Sequence, residues 1–434
     1  MGSLIARSKQ FVKKVAKADI VRVFSLTSMS TLVRMCTGLV SVKVVASIIG
    51  PAGVALVGQL NNFSTIALSL ATGGINSGIT KYVAEYKGDE EKVKQYITTA
   101  FRITVACSLV IGLFLLLLCK PLSKLVMLTP QYWYVFAIFG FTIIFYGLNT
   151  LIVSIVNGYK QFNKYVKVNI VSSLFGVCFT VTLVLLWGLP GALISAVTFQ
   201  SLMIVVSILM LRRLEWLRKE YFIGKFRKAI ASQYFRYSLM TLTAAFTTPL
   251  VQMFLRSYVM TEISTTEAGW WEGMNRISNM YLMVITTSFS VYYLPRLSEI
   301  TDRKELRHEI IKAFKVIIPM LLGGFTIIYI LRFFIIRLLF TPEFMPMSQL
   351  FIWQMAGDLF KISSWLLAYV LIAKAMTRIS ILNEVLSSLT YACLGYFLIK
   401  FNGIVGLTQS YLIIYIIETI VMILITRHYL VRVC

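Results

Sequence analysis

Runs of about 20 or more apolar residues, parted by short polar or glycine-rich breaks, follow one another along the whole chain. Each run is long enough to cross a hydrocarbon core as a helix. The pattern predicts twelve spans, at residues 21–49, 54–80, 96–119, 133–157, 165–187, 191–211, 237–260, 268–294, 310–338, 347–374, 379–399 and 404–426. The expected class is therefore an all-α polytopic membrane protein.

The apolar pattern repeats at about half the chain length. Ala52-Gly53 recurs as Ala268-Gly269, Thr129-Pro130-Gln131-Tyr132 as Thr341-Pro342-Glu343-Phe344, and Val171-Ser172-Ser173-Leu174 as Leu386-Ser387-Ser388-Leu389. The turn Gly188-Leu189-Pro190-Gly191 returns as Gly403-Ile404-Val405-Gly406, and all of these matches lie in order at offsets of about 212 to 216 residues. Two six-helix bundles are therefore expected, at 21–211 and 237–426. An even number of spans in each half gives both the same orientation, related by a pseudo-twofold axis along the membrane normal. The flanking parts are a basic amphipathic arm at 1–20, a basic linker at 212–236 and a tail at 427–434.

Composition agrees with a membrane protein, at 58% hydrophobic and only 14% charged, and the formal net charge of +24 then calls for an explanation. Alternate loops collect the lysines and arginines while the opposite loops, such as Gly50-Pro51-Ala52-Gly53, are short and nearly neutral. That asymmetry places the basic loops and both termini in the cytoplasm. No basic stretch carries a nucleic-acid docking module, so no nucleic-acid partner is expected. The six cysteines are scattered, and the two histidines, His308 and His428, lie in basic loop or tail context. Neither a metal site nor a cofactor nor a catalytic triad is expected from them.

Within the spans stand several charges, each of which costs on the order of 2.5–3.5 kcal/mol at the membrane centre. Arg34 lies near the middle of the first span and Lys43 nearer its outer end, Arg256 in the outer part of the seventh, and Arg276 and Lys361 about midway through the eighth and tenth. Glu272 stands four residues before Arg276, and Asp358 three before Lys361, spacings that bring side chains together on one helix face. Arg34, Lys43 and Arg256 have no such local acid. They are expected to face water or an anion in a central cationic cavity, against the competing possibility of pairing with acids on other helices. Asn61, Asn62 and Gln252 add polar stripes to the second and seventh spans. A cationic cavity favours phosphate or pyrophosphate, and the lipid-facing flank leaves room for a prenyl tail outside. A lipid-linked anion moved headgroup-first is the expected cargo. Trp270, Trp271, Trp353, Trp365 and Tyr369 are candidates for stacking on sugar rings or for ordinary packing.

Ser30-Thr31-Leu32-Val33-Arg34, Gly50-Pro51-Ala52-Gly53, Thr80-Lys81-Tyr82-Val83-Ala84, Ser288-Phe289-Ser290-Val291-Tyr292 and the run Leu350-Phe351 to Gly357-Asp358 and Lys361 together resemble the bacterial Wzx-type flippases. These belong to the multidrug/oligosaccharidyl-lipid/polysaccharide (MOP) exporter superfamily, and the likeness is greatest to the O-antigen and enterobacterial common antigen (lipid III) translocases. The resemblance implies a non-enzymatic flippase in the bacterial inner membrane. It would carry undecaprenyl-pyrophosphate-linked oligosaccharide from the cytoplasmic to the periplasmic leaflet, with a polysaccharide polymerase and a chain-length regulator as further partners beside membrane lipids. Lys43, Lys81, Arg256, Asp358, Lys361, Lys374 and Glu384 match the family pattern, Arg34 stands where a lysine is common, and Arg276 departs from it. Arg34, Lys43, Arg256 and Lys361 are accordingly the expected pyrophosphate-facing set. Asp358 and Glu384 are expected in pairing or coupling, and Lys81, Arg276, Lys374, Asn61, Asn62 and Gln252 as secondary cavity residues. A multidrug or cation antiporter, a peptidoglycan-precursor flippase with two further helices, and a non-transporting scaffold of the assembly machinery are the alternatives.

Overall fold

A backbone in lipid must satisfy its own polar groups, and continuous helices do so residue by residue. The computed structural model describes the backbone of residues 2–300, 302–374 and 376–431, and side chains from Ser28 onward except those of residues 237, 240, 290, 291, 377 and 431. All regular structure among these residues is helical. The side chains of the arm at 1–20, and the last residues of the tail, lie outside the described residues.

The first half contains α1 (Gly2–Ala71), α2 (Asn76–Glu85), α3 (Glu90–Leu117), α4 (Cys119–Met127), α5 (Trp133–Gly158), α6 (Phe162–Trp187) and α7 (Leu189–Leu211). The second half contains α8 (Lys228–Glu262), α9 (Thr265–Ser288), α10 (Leu294–Glu299), α11 (Arg303–Ile330), α12 (Arg332–Leu339), α13 (Phe351–Ala373) and α14 (Thr377–Val431). α1 is two membrane spans broken at Gly50 (φ 64°), and α14 is two spans broken at Gly403 (φ 59°). With those breaks counted, the twelve predicted spans all have helices. Several boundaries move. The second span ends at Ala71, where Thr72–Ile75 interrupt it before α2. The third and ninth begin earlier than the apolar pattern does, because Asp89 and Asp302 cap them by accepting from the backbone N–H groups of Lys92 and Glu305. The ninth ends at Ile330 and gives way to the short α12, as the third gives way to α4.

The internal repeat is visible as geometry. Gly188 and Gly403 hold the same left-handed turn (φ 59° in both), a conformation that costs glycine little. Three residues on, a side chain at Gly191 or at Gly406 would collide with the carbonyl of Leu183 or Leu398 across the same turn. The two lobes meet along the second arm of α1, which packs against α8 and α9. Their tightest glycine contact is Gly269, where a Cβ would lie 2.0 Å from the Pro51 carbonyl oxygen. The linker is docked on the first lobe: Thr98 Oγ1 donates to the Tyr221 carbonyl (2.8 Å), Tyr221 Oη to Glu90 (2.6 Å), and Tyr234 Oη to the Tyr96 carbonyl (3.2 Å). α8 then bends by 46° between residues 228–236 and 241–262.

Candidate functional site

Arg34 lies on the first arm of α1 and opens into a cavity of about 460 Å³ in the first lobe. Its wall is built from small polar side chains of α1 and α6, among them Thr37, Ser41, Asn169, Ser172 and Ser173, and no carboxylate lines it among the described residues. The guanidinium is exposed, and its one described side-chain partner is the Asn169 amide oxygen at 3.4 Å. Most of its donor fork therefore points into open space.

In the second lobe, Lys361 of α13 faces a cavity of about 170 Å³ that continues into one of about 320 Å³. The two share Trp365, Glu384 and Glu418. The Lys361 ammonium sits 5.1 Å from the Trp365 ring centre, 5.4 Å from that of Tyr411 and 5.2 Å from that of Tyr415. Each such contact contributes about 0.5–2 kcal/mol, which offsets part of the cost of burying the charge. Its Nζ also donates to Tyr411 Oη at 3.0 Å, and that hydroxyl donates in turn to Asp358 Oδ1 at 2.7 Å. Asp358 is fully buried and also accepts from Ser278 Oγ (2.7 Å) and Tyr281 Oη. The expected Asp358–Lys361 contact is thus relayed through Tyr411, an arrangement that fixes the ammonium against three rings. Glu384 accepts from Thr248 (3.0 Å), and Glu418 from Ser364 (2.8 Å) and Asn383 (3.4 Å).

Arg256 and Lys43 have other surroundings. Arg256 is 1% exposed; its Nη2 meets Glu272 at 2.6 Å, its Nη1 donates to Gln59 at 3.2 Å, and its guanidinium lies 5.1 Å from the Trp271 ring centre. Glu272 also holds Arg276 at 3.1 Å, so one carboxylate bridges both arginines. Across the lobes, Gln59 of α1 donates to Ser257 (2.7 Å) and the Met253 carbonyl of α8 (3.2 Å), and Asn62 donates to Gln252 (3.2 Å). Lys43 Nζ donates to the carbonyls of Arg337 (3.1 Å) and Phe340 (2.9 Å) at the end of α12. Lys374 does the same for Ile300 (2.6 Å) just after α10. The last carbonyls of a helix lack intrahelical donors and carry partial negative charge, which an ammonium satisfies.

Residues 20–301 match the family described as polysaccharide biosynthesis protein. Over 391 residues, 90% of this chain and 94% of the relative, the sequence is 30% identical to the lipid III flippase of Escherichia coli strain K12. The chain belongs to the polysaccharide biosynthesis protein family of Wzx-type MOP flippases. In keeping with that membership, its fold is similar to that of an inward-facing multidrug resistance transporter of the MOP superfamily, with a TM-score of 0.73 at 15% identity over 92% of this chain and 98% of the other. A MOP superfamily transporter from Pyrococcus furiosus, described as having a binding pocket of reverse polarity, gives a TM-score of 0.67 at 16% identity over 95% of both chains.

In this flippase-family chain the four cations expected to share one ligand are distributed among four places. Arg34 and Lys361 line separate cavities, while Arg256 and Lys43 lie in contacts between helices. Arg256 has an acid partner after all, because Glu272 reaches it from the neighbouring helix, a pairing invisible to spacing within one helix. Gln252 lines the Lys361 cavity and Asn62 bonds to it, whereas Asn61 and Lys81 are exposed, the latter's ammonium 5.1 Å from the Tyr82 ring centre. Tyr281, Tyr411, Tyr415, Ser278 and Gln59 were not singled out from the sequence. Their only sequence signal is a hydroxyl or amide inside an apolar span. Hydrogen bonds to a charged donor contribute roughly 1.5–3 kcal/mol. Lys43→Met should therefore shift the lobe equilibrium by at least about tenfold toward separation at the α12 end. Distances between spin labels at residues 47 and 338 report this, and an unchanged distribution would show that Lys43 is not a tie.

Proposed function

We propose that this protein is a flippase for undecaprenyl-pyrophosphate-linked oligosaccharide, acting by alternating access and supplying repeat units for O-antigen or related surface polysaccharide. The Arg34 cavity is the observation that carries the reading to a site: an exposed guanidinium among hydroxyls and amides, with no carboxylate in its lining among the described residues. A guanidinium fork matches two phosphate oxygens at once. Family membership and the 30% identity to a lipid III flippase support the same cargo class.

The bundles at 21–211 and 237–426 are the bodies that rock. Lys43, Arg256 and Gln59 hold them together in the present state, on the side of the short neutral loops. With the basic loops and both termini in the cytoplasm of the inner membrane, this state faces inward and receives the headgroup from the cytoplasmic leaflet. The prenyl tail stays in lipid against the exposed apolar flank, and a polymerase and chain-length regulator act on the delivered cargo. Reconstituted in vesicles, the protein should move a fluorescent undecaprenyl-pyrophosphate-linked oligosaccharide between leaflets. Protein-dependent movement of an organic cation in its place would instead support the antiporter reading.

A further inference from the structure

Two cavities, one in each lobe, are lined by opposite chemistry. The first offers an exposed cation and, among the described residues, no acid; the second offers one ammonium, two carboxyl groups and a wall of aromatic rings. Neither Glu384 nor Glu418 takes part in an ion pair among the described residues. A pyrophosphate entering the second cavity would meet both carboxylates, and juxtaposed like charges cost several kcal/mol. An organic cation would meet the like charge of the Lys361 ammonium, which lies 5.1–5.4 Å from the ring centres of Trp365, Tyr411 and Tyr415. A neutral polyol meets neither obstacle.

We infer that the second-lobe cavity is a saccharide subsite, a deepening that rests on the flippase reading above. Sugar hydroxyls donate to Glu384 and Glu418 and accept from Lys361, whose ammonium keeps two of its three donors after bonding Tyr411. Ser387 and Ser388 add hydroxyls that both donate and accept. Trp365 borders both parts of the cavity and presents ring surface for the apolar face of a pyranose. The combined space is of the size that holds small ligands, about 300–1,000 Å³. Its wider part runs along Thr243, Thr286, Ile372 and Met422, at the ends of α8, α9, α13 and α14 nearest the basic loops, so glycan and pyrophosphate enter from one side. The glycan is then read by one lobe and the pyrophosphate by the other, and both must be engaged for the cargo to bridge the moving bodies. Tyr411 is a positioning residue in this arrangement: anchored to Asp358, it holds Lys361 at the cavity wall.

The test compares two probes on purified protein, lipid III and bare undecaprenyl pyrophosphate. Intact protein should bind lipid III at least about tenfold more tightly, a difference worth about 1.4 kcal/mol. Trp365→Ala and Glu384→Gln should each collapse that ratio toward one, whereas Arg34→Ala should weaken both probes by a similar factor. Melting midpoints of all three variants identify any that misfold, and the milder Glu384→Gln carries the test if Trp365→Ala does. Equal affinity of intact protein for the two probes would overturn the subsite, as would a ratio untouched by both second-lobe variants. Displacement of the glycan-dependent binding by tetraphenylphosphonium would also overturn it, in favour of a cation site. Failure of both probes to bind removes the flippase reading itself and the subsite with it, an outcome distinct from equal binding.

Discussion

Glu272→Ala should destabilise the protein by about 3–5 kcal/mol, the range found when one partner of a buried ion pair is removed. The substitution leaves Arg256, 1% exposed, with the Gln59 amide oxygen as its remaining polar partner in this cluster. It also takes the described partner from Arg276. Arg256→Met should cost less, because Glu272 keeps Arg276 at 3.1 Å. In the double variant the orphaned charge is gone, so its loss should fall well short of the sum of the two singles. Unfolding free energies of the two single variants and the double in detergent check the order. Equal losses for the two singles would mean that the carboxylate does not bridge the arginines.

Gly269→Val should abolish transport while leaving folded yield intact. At Gly269 a Cβ would stand 2.0 Å from the Pro51 carbonyl oxygen, far inside any van der Waals contact. The backbones on either side belong to α9 and to the start of the second arm of α1, so the lobes themselves must separate there. The closed arrangement at the neutral loops then becomes inaccessible, and a transporter denied one of its two states does not cycle. Spin labels at residues 47 and 338 should report a wider, single population. Normal transport with an unchanged distance distribution would show that this close approach is not part of the cycle.

The helices and their repeat were legible because they rest on local chemistry. The apolar runs and the paired Gly188 and Gly403 turns state themselves in one dimension. The helices that hold spans 96–119 and 310–338 start before the apolar pattern does, because the caps Asp89 and Asp302 lie among charged loop residues outside it. The site was less legible for a geometric reason. Position along a span gives depth in the membrane but not which way a side chain turns about the helix, so Arg34, Lys43, Arg256 and Lys361 looked like one ladder. Lys43 finds its partners 294 and 297 residues away, and they are backbone carbonyls, which carry no sequence signature. Glu272 could be paired with Arg276 by spacing, but its second partner comes from another helix. Asp358 and Lys361 stand three apart on α13, but Tyr411 on α14 links them, a partner that spacing along one helix does not reveal.

Transport in vesicles with Arg34 varied is the most direct test of anion flipping. A labelled undecaprenyl-pyrophosphate-linked oligosaccharide is placed in one leaflet, and its protein-dependent appearance in the other is timed for intact protein, Arg34→Lys and Arg34→Ala. A hydrogen bond between charged groups contributes about 1.5–3 kcal/mol, so Arg34→Ala should slow movement by at least about tenfold, and Arg34→Lys should retain a measurable part of it. Undiminished movement in Arg34→Ala protein of normal stability would contradict the account.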